Sequence, residues 1–183
     1  MPPQPAESCA VAPTPDYLTL KTHRDDDKIV ERSVRWGLVT VISVISIAGL
    51  LNVFGQHPKT SEASGPAAEL TVTAPTRVRG GLFYEGRITV DAKQTLDDTV
   101  IVLDPGWMEQ TSINTIEPSP VDESGRDGRL SLGYGKLEAG EQLTVYIQLQ
   151  VNPTNVGHRS QRVELRDGPE LIAAADRSVT VFP

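Results

Sequence analysis

A run of 21 residues without a charged side chain, Trp36–Gln56, constrains this chain more than any other feature. As a helix it would be about 30 Å long, which is the thickness of a bilayer's hydrocarbon core. Its interior is rich in valine, isoleucine and leucine, and Trp36 and Phe54 stand where interfacial aromatic residues belong. The sequence therefore predicts one transmembrane helix at 36–56. A buried core helix is the alternative, and the absence of a polar face disfavours it.

The segment before this run favours an uncleaved signal anchor over a cleaved signal peptide. A signal peptide has a short basic region before its apolar stretch, whereas here 35 residues precede it, among them Asp25, Asp26 and Asp27. No convincing small-residue cleavage site follows. We therefore expect the helix to remain as an anchor.

The distribution of basic residues predicts the orientation of that anchor. Five lie just before the run, and only Lys59 follows it before Arg77. The five are Lys21, Arg24, Lys28, Arg32 and Arg35. The positive-inside rule then puts the N-terminus in the cytoplasm and exports the C-terminal domain from the cell membrane.

The flanking segments differ in composition. Residues 1–24 are punctuated by proline and poor in apolar side chains, which predicts a disordered cytoplasmic tail in which Cys9 is a solvated thiol. The aspartates of residues 25–27 suit a helix N-terminus, so 25–35 is predicted to be a juxtamembrane helix. Small and polar residues at 57–68 predict a flexible tether.

Residues 69–183 alternate apolar and polar side chains with a period of two. In the segment QLTVYIQLQV the apolar members are Leu143, Val145, Ile147, Leu149 and Val151. Such alternation is typical of a strand that is buried on one face and solvated on the other. The wholly apolar TVIVLD predicts a central strand, and a glycine within LFYEGRITVDA, Gly86, predicts a β-bulge.

Turn-forming residues separate these short runs, and no stretch of this region is helical in pattern. Asp127–Gly128 and Asn152–Pro153 are examples. The predicted fold class is all-β: one exported, immunoglobulin-like antiparallel β-sandwich preceded by one transmembrane helix. A domain of this length can fold without disulfides.

The segment GKLEAGEQLTVYIQLQVN resembles the pattern G-x-L-x-x-G-E-x-x-x-V-x-I-x-x-x-V of bacterial immunoglobulin-like repeat domains. The preceding TVIVLDPGWMEQTSINTIEPSP is similar to the strand, loop and strand of that family, so the resemblance covers about 69–183. It implies an adhesive, structural or accessory role at the cell surface and supplies no catalytic residues. This chain has one copy of the domain rather than a tandem array.

The composition provides few residues that could act in catalysis or bind a cofactor. There is one cysteine, there are three histidines, and the net charge of −7 disfavours nucleic acid as a partner. His158 lies in a loop-like segment without a recognisable nucleophile. The segment DESGRDG departs from the spacing of a calcium loop and is better explained as a hairpin turn at Asp127–Gly128. We predict no enzymatic activity, no cofactor and no metal site.

Two groups of residues are candidates for interaction. Trp107 and Met108 are adjacent, and exposed tryptophan beside methionine suits a binding hot spot, although the favoured interpretation is that Trp107 folds over the end of the core. Within the membrane segment, small and polar residues recur at a spacing of three and are candidates for helix packing. They are Ser43, Ser46, Gly49 and Asn52.

These features predict a single-pass membrane protein that presents an exported binding module. Its expected partners are the lipid bilayer and another membrane or envelope protein, which it would serve as an accessory or assembly subunit. The alternative is a structural or adhesive module that binds wall polymers. An enzyme would require a cleft with converging carboxylates, and nothing in the sequence specifies one.

Overall fold

The computed structural model describes residues 23–51, 53 and 55–183. The predictions of a disordered tail and of a solvated Cys9 fall largely outside these ranges, as do those for Phe54 and Asn52. The chain divides into two compact units, Met1–Gly55 and Gln56–Pro183.

The first unit contains one long helix, α1, which spans His23–Leu50. Its stretch Val30–Leu50 is long and apolar enough to cross a membrane, and none of it is buried. The helix ends six residues earlier than predicted, because its last turn loosens. The Val53 N–H donates to the Ala48 carbonyl at 3.0 Å, five residues back instead of four. Gly49 and Asn52 are both poor helix formers, which favours an end at this point.

The second unit contains thirteen strands, joined by short turns and one 3-10 turn, Pro105–Trp107. The strands are β1 Pro58–Ser64, β2 Ala68–Pro75, β3 Arg77–Arg79, β4 Phe83–Ala92, β5 Leu96–Leu103, β6 Thr111–Glu117, β7 Asp122–Arg126, β8 Arg129–Leu137, β9 Gln142–Val151, β10 Gly157–Ser160, β11 Val163–Asp167, β12 Glu170–Ala175 and β13 Ser178–Phe182.

These strands form two five-stranded sheets and one small sheet. The five-stranded sheets have the orders β1-β2-β4-β9-β6 and β12-β11-β5-β8-β7, and the small sheet has the order β10-β13-β3. Every described pairing is antiparallel except β13 with β3. The predicted class, an antiparallel immunoglobulin-like β-sandwich preceded by one apolar helix, is confirmed.

The core lies between the two five-stranded sheets and follows the predicted alternation. On β9, Val145, Ile147, Leu149 and Val151 are buried, while Leu143 is half-buried at the start of the strand. Strand β5, predicted to be central, is the middle strand of its sheet. At about 25 cal/mol per Å² of apolar surface, burial of these alternating side chains is the main favourable contribution to folding.

The segment 57–68, predicted to be a flexible tether, is mostly strand. β1 pairs with β2 along its whole length, from Pro58 with Pro75 to Ser64 with Glu69. An edge strand needs only one half-buried face, which Ser61 and Ala63 provide, so a polar composition is compatible with it. The folded domain therefore begins near Gln56 rather than at residue 69.

Gly86 lies in regular β structure and is not the predicted bulge. The pairing of β4 with β9 runs through Gly86 and Ile147 without a register shift. The glycine is required for a different reason, because a Cβ at this position would lie 3.1 Å from Cζ3 of Trp107. The absence of a side chain at Gly86 makes room for the indole ring.

Candidate interaction surface

Trp107 is a core residue and is not exposed for interaction. The 3-10 turn Pro105–Trp107 directs its side chain inward, where its exposure is 0%. Met108 is half-buried and packs against the same core. The interpretation of Trp107 and Met108 as an exposed hot spot is therefore wrong, and the favoured interpretation, in which Trp107 folds over the core, agrees with its burial.

Trp107 contacts a buried polar network centred on Arg177. The guanidinium of Arg177 lies 5.0 Å from the centroid of the indole and donates to the carbonyls of Ala74 and Pro75, at 2.9 Å each. It also donates to Oε1 of Gln161 at 2.6 Å. Burial lowers the pKa of Arg177.

The amide of Gln161 extends this network to Tyr84. Its Nε2 donates to the Tyr84 hydroxyl at 3.1 Å. Burial raises the pKa of Tyr84, although this bond and the charge of Arg177 act in the opposite direction. Among the described residues, Nε of Arg177 and Nε1 of Trp107 have no hydrogen-bond partner, but the group is enclosed. The network therefore joins strands and does not present a ligand site.

His158 and the acidic hairpin show no catalytic or metal-binding arrangement. Nδ1 of His158 lies 3.2 Å from the Thr180 hydroxyl, and His158 is exposed on β10. Asp127 and Gly128 have positive φ and join β7 to β8, which confirms the hairpin turn. In the described part of the chain, no three His, Cys, Asp or Glu side chains are grouped so that they could hold a metal ion.

The predicted helix-packing residues remain a prediction. Ser43, Ser46 and Gly49 are all exposed on α1, as are most of their neighbours. Asn52 lies outside the described residues. A Cβ at Gly49 would meet nothing within 4 Å, so no packing contact with the described residues requires a glycine there.

The outer face of the sheet containing β5 carries charges that are already paired. Glu164 is almost fully buried there and lies within 3.3–3.7 Å of three arginines. They are Arg129, Arg162 and Arg166. Arg129 also contacts Asp104, and Arg162 contacts Asp176. Three arginines face three carboxylates, so the network is locally neutral.

The outer face of the other five-stranded sheet is different. The strand registers bring the outward side chains of β4, β9 and β6 into neighbouring rows, which we call the β9 face. One row runs from Arg87 through Tyr146 to Glu117, the next from Glu85 through Gln148 to Thr115, and the last from Phe83 through Gln150 to Ser112.

Two aromatic side chains are exposed on the β9 face. Phe83 is 60% exposed and Tyr146 is 40% exposed. The guanidinium of Arg87 lies over the Tyr146 ring, 5.3 Å from its centroid. Aromatic and arginine side chains are enriched at protein-binding hot spots. The exposure of these two aromatic residues could have been predicted from the sequence, because Phe83 and Tyr146 occupy the polar positions of alternating strands, where large aromatic residues are unexpected.

The charges of the β9 face are not matched within the domain. Among the described residues, neither Glu85 nor Glu117 has an ion-pair partner, and Arg87 forms no salt bridge. The contrast with the paired arginines of the opposite face marks the β9 face as the candidate interaction surface.

A groove of about 520 Å³ lies between strand β6 and the segment that leads into β7. Ile113, Ile116 and the exposed Val121 contribute its apolar lining, and Glu123 contributes a carboxylate. It is open to solvent, and its lining is mixed rather than converging on one reactive group. It resembles neither a deep substrate pocket nor a carboxylate pair.

Comparisons with known proteins find similarity at the level of fold. No family model and no curated protein matches the sequence. Among solved structures, the CARDB domain of the PF1109 protein from Pyrococcus furiosus, in complex with di-metal ions, matches at 14% identity with a TM-score of 0.41, covering 65% of this chain and 92% of that one.

Two further matches are cohesin-related. CaCohA2 from Clostridium acetobutylicum matches at 13% identity with a TM-score of 0.43, covering 67% of this chain and 92% of that one. A non-cellulosomal cohesin from Archaeoglobus fulgidus matches at 12% identity with a TM-score of 0.39, covering 68% of this chain and 92% of that one.

Proposed function

We propose that this chain is a single-pass membrane protein whose β-sandwich is an exported binding module. In this proposal α1 is the anchor, the N-terminus is cytoplasmic, and the domain acts as an accessory or assembly subunit beside another envelope protein. The observation that carries the proposal is the combination of an unburied apolar helix with a separate folded unit.

The dimensions of α1 support anchoring. The stretch Val30–Leu50 has 21 residues, which at 1.5 Å per residue corresponds to about 30 Å of helix. Glu31, Arg32 and Arg35 fall within its first two turns, where long side chains can extend to the lipid headgroups. An apolar helix whose described side chains are not buried needs a partner in lipid or protein.

The surface of the sandwich supports binding rather than catalysis. Its buried polar network is enclosed, and the exposed His158 has a hydroxyl as its hydrogen-bond partner instead of an orienting carboxylate. The β9 face instead offers exposed aromatic and charged groups on rigid strands. Adhesion to wall polymers is the alternative function, and exposed Phe83 is the feature that favours it, because a free ring can stack on sugars.

Affinity purification from gently solubilised membranes tests this proposal. We compare the native chain with a variant in which 36–50 is replaced by leucines, so that the anchor is kept but Ser43, Ser46 and Gly49 are lost. An accessory subunit should co-purify with a membrane protein, and the leucine variant should retain less of it. If both forms instead retain only wall polysaccharide, the accessory role is refuted in favour of adhesion.

A further inference from the structure

The outward side chains of the sheet β1-β2-β4-β9-β6 are strongly acidic. Among those described, Arg87 is the one cation on the strands, against five carboxylates. The five are Glu62, Glu69, Glu85, Asp91 and Glu117. Lys93 contacts Glu69 at 3.6 Å and the Gln142 amide donates to Asp91 at 2.6 Å. Glu62 lies apart on the edge strand β1, so the carboxylates beside the exposed aromatic residues that have no described ion-pair partner are Glu85 and Glu117.

Glu85 and Glu117 lie on either side of the exposed aromatic residues. Glu117 is the register neighbour of Tyr146, and Glu85 is two residues from Phe83 on β4. Exposed carboxylates around aromatic anchors provide both electrostatic attraction and apolar contact to a partner. We propose that the β9 face binds a protein that presents a lysine- and arginine-rich surface.

Charge complementarity selects this occupant over others. A second copy of this chain would place acidic groups against acidic groups, and anionic lipid or nucleic acid would be repelled in the same way. A neutral glycan could stack on Phe83, but Arg87 already covers one face of the Tyr146 ring, and an uncharged sugar would leave the carboxylates of Glu85 and Glu117 without cationic partners. A cationic protein surface can pair with Glu85 and Glu117 while its apolar groups contact Phe83.

The first test measures the electrostatic preference of this face. The probe is a fluorescein-labelled ten-lysine peptide, and the protein is the full chain in nanodiscs of zwitterionic phosphatidylcholine. The double variant Glu85→Lys/Glu117→Lys should bind the peptide about tenfold more weakly than the native chain, as measured by fluorescence anisotropy.

The matched control is Asp122→Lys/Glu170→Lys, which changes the net charge equally at exposed sites on β7 and β12. It should weaken binding by less than about twofold, since those sites lie outside the β9 face. An equal loss in both double variants would show that total charge alone attracts the peptide, and would overturn the proposal.

The second test identifies the occupant in cells and rests on the proposed function, since it requires a partner. A photo-crosslinking amino acid is placed at Gln148 on the β9 face, and at the exposed Ser124 on β7 as control. We expect an adduct from position 148 to a protein with a cationic surface, and its loss in the Glu85→Lys/Glu117→Lys background. Crosslinking to glycan, to lipid or to nothing would overturn the proposal.

Together these tests distinguish a failure of the assignment to the β9 face from a failure of the proposed binding function. If co-purification with a membrane protein persists while the Glu85→Lys/Glu117→Lys chain still crosslinks normally, the binding function stands and the assignment to the β9 face fails. If co-purification and crosslinking are both absent, the binding function itself fails.

Discussion

At the scale of single residues, Arg177 connects several separate parts of the domain. Its guanidinium is buried, stacks on Trp107, and donates to two backbone carbonyls and to Gln161. A buried cation without a carboxylate partner has a large desolvation cost, which these carbonyl bonds and the ring offset. The side chain thereby connects the end of β2 to the residues that precede β11 and β13.

Arg177→Met should therefore destabilise the domain, because it leaves the carbonyls of Ala74 and Pro75 without these donors. We expect a loss of about 2 kcal/mol or more in the free energy of unfolding, measured with urea. Arg79→Met is the control, since that exposed side chain makes a single bond to the Pro183 carbonyl and should cost less than about 0.5 kcal/mol. Equal stability of the two variants would contradict the account of Arg177.

Gly86→Ala tests the reason for the glycine on β4. The added methyl would be 3.1 Å from the Trp107 ring, so the ring must shift within a packed core, and we expect a cost of about 1–3 kcal/mol. Gly125→Ala is the matched strand control, because its nearest atom is 4.0 Å away. If urea unfolding shows no difference between these variants, Gly86 is not required by the indole.

At the scale of elements, periodicity predicted most of what the structure contains. The alternating face of β9, the central position of β5 and the turn at Asp127–Gly128 all follow from local pattern and turn chemistry. Strand β1 could not be predicted in the same way, since its polar side chains carry little signal and its stability comes from backbone pairing with β2.

The assignment of the buried and exposed faces of β9 can be tested at two neighbouring positions. Ile147 is fully buried and Gln148 is exposed. Ile147→Asp should unfold the domain, because burying an unpaired carboxylate costs on the order of several kcal/mol. Gln148→Asp should retain native circular dichroism and a nearly unchanged unfolding midpoint. Similar tolerance of both substitutions would show that the inward face is misassigned.

The tyrosines that contact the core make stability depend on alkaline pH. Burial, and secondarily the charge of Glu123, raises the pKa of Tyr134 to about 12, and burial also raises that of Tyr84. A raised pKa in the folded state means that stability is fully present below the unfolded value near 10 and decreases as pH rises toward 12.

The variant Tyr84→Phe/Tyr134→Phe should accordingly lose stability less steeply between these pH values than the native chain. The measurement is the free energy of unfolding as a function of pH, and its slope is the readout. The lost Tyr84 hydrogen bond lowers stability at neutral pH without producing that slope. Identical slopes would show that ionisation of these two phenols is not coupled to folding.

At the scale of the whole molecule, the interaction surface predicted from the sequence differs from the one that the structure indicates. Trp107 and Met108 are adjacent in a loop-like segment, which is compatible with an exposed pair, yet tertiary packing buries the indole. The β9 face could be recognised only when register placed Arg87, Tyr146 and Glu117 in one row, since these residues come from three separate parts of the chain. Local pattern determines which face a residue occupies, and strand order determines its neighbours.

The topology of the full chain tests the central claim most directly. A reporter enzyme that is active only outside the cytoplasm is fused after Pro183 in one version and before Met1 in another. The account predicts activity only for the fusion after Pro183, with the protein remaining in the membrane fraction after alkaline carbonate washing. Activity only for the fusion before Met1, or release of the chain by carbonate, would contradict an anchored and exported binding module.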